Sequence, residues 1–163
     1  MSKNIILTQN KMAIVDDDDY YKVSKHIWCA KKSGGDIFYA IRREPMTGKH
    51  IYMHKQIILA DSSVFVDHIN GNALDNRKSN LRICTHRQNL CNQKLSSANT
   101  SGYRGVSWNK LCGKWHAYIK VKQKRIHLGV YKDKAEAARV YNDAAREYFG
   151  EFARLNNVLK ELK

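Results

Sequence analysis

Among the 163 residues there is no apolar run long enough to span a membrane. The first twelve, MSKNIILTQNKM, also lack the apolar core of a signal peptide. The four cysteines, Cys29, Cys84, Cys91 and Cys112, form no CxxC pair, so neither a disulfide framework nor a zinc ribbon is written in their spacing. A cytoplasmic protein with reduced thiols is expected. Proline occurs once, and aromatics make up 10% of the chain, which argues against disorder. No segment repeats another. Acidic residues are scarce as well: 15 Asp and Glu stand against 29 Lys and Arg, a formal charge of +14. Such an excess implies a polyanionic partner and says nothing about fold. It is uneven, with 14 basic and 6 acidic groups in residues 101–163 against 10 and 6 in residues 1–60. The C-terminal third is therefore the expected phosphate-gripping part.

The stretch Val66–Asn89, VDHINGNALDNRKSNLRICTHRQN, holds the densest chemistry. Asp67 lies beside His68 and is followed by a turn-rich loop, Asn70–Ser79, whose Asn and Gly residues tolerate unusual backbone angles. Leu81–Cys84 reads as a strand. Thr85 and Gln88 form a capping box that starts a helix carrying His86 and Asn89 and running to about Lys94. The order is strand, loop, strand, helix. Asp67 and Asn89 offer oxygen ligands to a hard divalent cation, Mg²⁺ foremost with Mn²⁺ as the alternative. His68, with an ordinary pKa of about 6.5, suits a general base. Asn80 or a loop carbonyl is the expected orienting group for its other ring nitrogen. Adjacent strand residues face opposite ways, so Asp67 and His68 share a site only if the strand ends or twists between them. His86 and Asn89, three apart, share a helix face. His86, Arg87, Arg82 and His54 are candidate phosphate or metal contacts. A structural zinc on Cys84, His86 and Cys91 is a weaker alternative with three ligands only.

Earlier in the chain, Met12–Val15, Ile27–Ala30, Phe38–Ile41 and His50–Met53 read as strands. A helix is expected over Tyr20–His26, capped by the run Asp16–Asp19, which could otherwise be a metal site. His54–Leu59 reads as a short helix and Val64–His68 as a strand. Ser96–Ser101 is the expected linker. Beyond it come three strand-like runs, Tyr103–Trp108, Lys114–Val121 and Arg125–Tyr131. A helix from Lys134 to Phe149 follows, capped by Asp133, ended by Gly150 and lined by Ala135, Ala138, Tyr141, Ala144, Ala145 and Tyr148. In the second of these strands Lys114, His116, Tyr118, Lys120 and Lys122 alternate with Trp115, Ala117, Ile119 and Val121, giving one cationic face and one packing face. With Arg104, Trp108, Arg125 and His127, they are the expected DNA-binding residues, since a β-ribbon fits the major groove.

Two resemblances attach to these residues. Asp67-His68, Asn80 and Asn89 resemble the HNH nuclease motif in its ββα-metal form, found in phage and intron-borne homing endonucleases. The resemblance implies that Asp67 and Asn89 bind one metal, that His68 is the base and that Asn80 stiffens the loop. It also implies 5′-phosphate and 3′-hydroxyl products. Tyr103–Asn156 resembles the plant APETALA-two/ethylene-response-factor DNA-binding domain through YRGVSW, GKWHAYI, HLGVY and the following helix. Lys120 and Ser107 stand among the residues replacing plant arginines.

The expected class is α+β. A small N-terminal α/β element and a ββα-metal nuclease unit occupy 1–95, with the core about 50–95. A linker (96–101), a three-stranded antiparallel sheet packed on one helix (102–157) and a tail (158–163) follow. The expected function is homing-type endonuclease action on double-stranded DNA, as a monomer or homodimer, without a membrane partner. A non-catalytic DNA-binding regulator and an RNA-binding protein are the alternatives.

Overall fold

The computed structural model describes residues 1–92, 95, 96 and 98–158. The expected helix end at Lys94, Ser97 of the expected linker and the tail beyond Val158 lie outside the described residues. The chain mixes helices with small antiparallel sheets, an α+β architecture, and divides into two compact units, Met1–Asn89 and Leu90–Lys163. No helix among the described residues is long and apolar enough to cross a membrane.

The first unit opens with a hairpin of β1 (Ser2–Ile6) and β2 (Met12–Asp16), in register from Ser2↔Asp16 to Ile6↔Met12. β1 has no counterpart in the sequence reading, because SKNII has too few apolar residues to stand out alone. Its buried Ile5 joins Ala13 and Val15 of β2 in the core. Helix α1 spans Asp17–Val23, not Tyr20–His26. The aspartates do not precede the helix; Asp17, Asp18 and Asp19 form its first turn, where the helix dipole favours negative charge.

Strands β3 (Cys29–Lys32), β4 (Phe38–Arg43) and β5 (His50–Tyr52) make an antiparallel meander. β3 starts two residues later than Ile27. The Ile27 side chain is exposed, whereas Trp28 is buried and donates its indole N–H to the Val23 carbonyl at 2.8 Å. Helix α2 (Met53–Ile57) is ended by Leu59, whose φ of 55° is left-handed. The Ala60 N–H to Lys55 carbonyl bond of 2.9 Å closes that turn. Strand β6 (Phe65–His68) pairs antiparallel with β7 (Leu81–Cys84), and α3 (His86–Cys91) follows. The core gathers Ile5, Leu7, Val15, Trp28, Met53 and Ile57 with Val66 of β6 and Leu81 of β7, so the strand carrying Asp67 and His68 is anchored in it.

The second unit holds β8 (Val106–Asn109), β9 (Lys114–Val121) and β10 (Lys124–Tyr131) with β9 central, and helix α4 (Lys134–Phe149). Lys122 and Gln123 adopt positive φ angles of 47° and 67°, a two-residue turn matched to strand twist. The first strand begins at Val106 and not at Tyr103. Gly105, with φ of 69°, turns the chain against α4, where any side chain would collide with the Tyr141 ring and the Tyr118 carbonyl.

Asp133 caps α4 by accepting from the Ala135 and Glu136 amides at 3.1 Å each. The buried face is Ala137, Ala138, Tyr141, Asn142, Ala144 and Ala145. Tyr148 is exposed instead. Asn142 tolerates burial because its amide accepts from Asn156 N–H (2.7 Å) and donates to the Asn156 carbonyl (2.9 Å). The Asn156 side chain in turn bonds both backbone groups of Arg104, at 2.6 and 3.0 Å. Asp133→Ala should therefore lower stability by about 1 kcal/mol. Asn156→Ala, which strands polar groups, should cost about 2 kcal/mol. Both are read from urea midpoints.

Candidate active site

β6 places Asp67 opposite Arg82 and His68 opposite Leu81, with no break in register. Strand alternation then sends Asp67 and His68 to opposite faces of β6. On one face Asp67, 4% exposed, receives the Arg82 Nε and Nη2 groups on a single oxygen, Oδ2, at 2.9 and 2.7 Å. On the other face His68, 6% exposed, packs inward among His54, Tyr39 and Asn76.

The loop after His68 is held by its own amides. Asn80 is a brace: its Oδ1 accepts from the Asn70 N–H (2.9 Å) and its Nδ2 donates to the Asp75 carbonyl (2.7 Å). Arg77 grips the Asp75 carboxylate with two bonds of 2.8 and 2.7 Å and so holds that carboxyl below the usual carboxylate range. Asn70 Nδ2 adds a bond of 2.9 Å to it.

The first hairpin anchors the same loop. The Ile14 N–H donates to the Leu74 carbonyl and the Asn76 N–H to the Ile14 carbonyl, both at 2.8 Å. Asp16 accepts from the Lys78 N–H at 2.7 Å, while Lys78 Nζ pairs with buried Asp19 at 2.8 Å. The acidic run thus binds lysines, with Asp17 on Lys3 at 2.6 Å.

The group that orients His68 is Asn76, a residue the motif reading missed. Asn76 Nδ2 donates to the Leu74 carbonyl at 3.2 Å, so its Oδ1 faces the ring, 3.3 Å from His68 Nε2. An amide oxygen only accepts, so Nε2 carries the proton and Nδ1 the lone pair. Burial pushes the His68 pKa down, against upward pulls from the Asn76 bond, Asp67 and Asp75. The ring is neutral at neutral pH, as a base must be. Behind it, His54 is pushed down to about 3 by burial and by its neighbours His68 and Lys55. His54 is as buried as His68.

The expected metal donors fit a hard cation in kind, a carboxylate from Asp67 and an amide oxygen from Asn89. The His86 ring lies 5.2 Å from Phe65, which shares the Asp67 face of β6, and Asn89 shares the His86 face of α3. Among the described residues no three His, Cys, Asp or Glu side chains form a metal-holding cluster, so the zinc alternative on Cys84, His86 and Cys91 does not assemble. The α3 start follows the sequence: Thr85 N–H and Oγ1 bond Gln88 Oε1 at 2.8 and 2.9 Å, and Thr85 Oγ1 accepts from the Gln88 N–H at 3.2 Å. Arg87 is exposed on that helix.

In the second unit, Lys114, His116, Tyr118 and Lys120 lie on the β9 face opposite buried Ala117 and Ile119. Arg125 and His127 of β10 sit across from Lys120 and Tyr118. The Arg125 guanidinium lies 3.6 Å over the Tyr118 ring, and the His116 and His127 rings are 5.3 Å apart. Lys122 stands at the turn. Two residues depart from this face. Trp108 pairs with Trp115, rings 5.0 Å apart, on the helix side, and is 46% exposed at its edge. Arg104 precedes the sheet and is half-buried, which lowers its pKa.

Residues 60–91 match the family model described as HNH endonuclease. An uncharacterized HNH endonuclease of Acanthamoeba polyphaga mimivirus is 36% identical over 149 residues, covering 90% of this chain and 75% of the relative. The chain belongs to the HNH endonuclease family. Protein 3.8 of Escherichia phage T7 is 34% identical to this HNH endonuclease over 90 residues, 55% of this chain and 74% of that protein. An ethylene-responsive transcription factor-like protein of Arabidopsis thaliana is 37% identical over 89 residues, 53% of this chain and 34% of the plant protein. No solved structure matches.

In this nuclease Arg82→Met should destabilise the fold by about 3 kcal/mol, because it removes the guanidinium that pairs with a buried carboxylate. Denaturant unfolding measures it; a loss under 1 kcal/mol would mean Asp67 is solvated.

Proposed function

We propose that the chain is a homing-type, metal-dependent DNA endonuclease with His68 as general base. The observation that supports this best is a buried imidazole with Nε2 held by Asn76 at 3.3 Å, next in sequence to a buried carboxylate. Residues 1–95 carry the ββα-metal nuclease domain and 102–157 an ethylene-response-factor-like DNA-reading domain.

His68 Nδ1 accepts a proton from water, and the hydroxide attacks phosphorus in line with the 3′ oxygen, leaving 5′-phosphate and 3′-hydroxyl ends. Asp67 and Asn89 would hold the divalent ion, Mg²⁺ or Mn²⁺, which supplies charge stabilisation at the phosphate oxygens and the leaving oxygen. Asn80 keeps the loop closed so that Asn76 stays on the ring. Arg82 fixes the position of the Asp67 Oδ2 atom, and His86 and Arg87 contact the phosphate backbone beside the site. Lys114, His116, Tyr118, Lys120, Lys122, Arg125 and His127 grip duplex DNA. Arg104, just before the sheet, is a further cation of that interface, and Trp108 reaches DNA only from the sheet edge.

A second reading, a DNA-binding regulator without turnover, is favoured by one observation: the Asp67 carboxylate is engaged by Arg82. Nicking of supercoiled plasmid with Mg²⁺ or Mn²⁺ decides between them. Nicking by the wild-type chain that EDTA stops and His68→Ala abolishes, at unchanged DNA affinity, is expected. Binding without nicking supports the regulator. For the sheet, replacing Lys120 and Arg125 by Ala should reduce the slope of log affinity against log salt by about 2. An unchanged slope would remove the sheet from the DNA interface.

A further inference from the structure

The imidazole of His68 is held by more than its hydrogen bond. The His54 ring centroid lies 5.0 Å away at an interplanar angle of 85°, and the Tyr39 ring 6.1 Å away at 62°. Tyr39 and His54 are themselves packed, with centroids 5.7 Å apart. Tyr52 backs both, 5.8 Å from Tyr39 and 5.4 Å from His54. These rings come from β4, the end of β5 and the start of α2, elements that lie before the residues 60–91 matched by the HNH model.

The second torsion of a histidine side chain is broad, so one hydrogen bond fixes a point on the ring but not its plane. Two edge-on neighbours fix the plane. Such edge-to-face packing is directional and favourable at these separations. A general base must meet its proton within hydrogen-bond reach, and small misplacements are expensive in rate.

We propose that Tyr39 and His54 are positioning residues that clamp the plane of the His68 imidazole, Tyr39 through its ring and not its hydroxyl. The β3–β4–β5 meander is then a support for the active site. This inference rests on His68 being the base.

The test is plasmid nicking by the full chain, with kcat and KM measured separately beside wild type and His68→Ala. Tyr39→Leu should lower kcat roughly 10- to 100-fold with KM and DNA affinity unchanged. Tyr39→Phe, which keeps the ring, should restore the rate to within about twofold. His54→Leu removes the other neighbour and should behave like Tyr39→Leu, which keeps the test open if one variant fails to fold. Wild-type turnover in both Leu variants overturns the clamp. A Tyr39→Phe rate as poor as that of Tyr39→Leu overturns the ring assignment. Normal nicking by His68→Ala sinks the base reading itself, and the clamp with it.

Discussion

A single amide-to-imidazole contact, Asn76 Oδ1 to His68 Nε2, sets which ring nitrogen can take a proton, and much of the first unit is arranged to keep it. Asn76 has its orientation because its own Nδ2 is tied to the Leu74 carbonyl and reaches Met53 Sδ at 3.6 Å. Its backbone is tied to Ile14. The hairpin at the start of the chain is thereby coupled to the site some sixty residues later. Lys78 adds two further ties, one to Asp16 and one to Asp19. A loop of Asn, Asp and Gly would otherwise sample many conformations, and ordering it costs on the order of 1 kcal/mol or more per residue. The dense net of side-chain to backbone bonds offsets that cost.

The Asp67 side of the strand follows a different logic. A buried carboxylate is costly without a cationic partner, and Arg82 supplies one within hydrogen-bond reach. The Arg82 Nε and Nη2 groups converge on Oδ2, which fixes the position of that oxygen. A nuclease site wants the same thing, a fixed oxygen donor in a dry setting. The β6 register is unbroken, so Asp67 and His68 leave it on opposite faces, and they can serve one phosphate, as proposed, only because His68 is the last residue of the strand.

How much of this was legible in the sequence varies with the kind of signal. Strand, loop, strand, helix over 65–91 followed from Asp67-His68, the loop amides and the Thr85–Gln88 box, because those signals are local. The same holds for β9 and α4, whose bounds match the reading. β1 was not legible, since its burial depends on partners that only the fold supplies. Asn76 was hidden among four loop asparagines, Asn70, Asn72, Asn76 and Asn80. Nothing in spacing tells which of them faces the ring, and Asn80, the more conspicuous, braces the loop instead. Trp108 was assigned to the cationic face by composition, but alternation from Val106, buried on the helix side, puts it opposite Trp115. Tyr39 carried no signal, because its neighbours His54 and His68 lie 15 and 29 residues away.

The most direct test of the account is the ring state of His68, read by nitrogen-15 and carbon-13 NMR of the histidine side chains at neutral pH, with His68→Gln to assign the signal. A neutral ring protonated at Nε2 in the wild-type chain, losing that tautomeric preference in Asn76→Ala, is the predicted result. A ring protonated at Nδ1, or one charged at neutral pH, would contradict it.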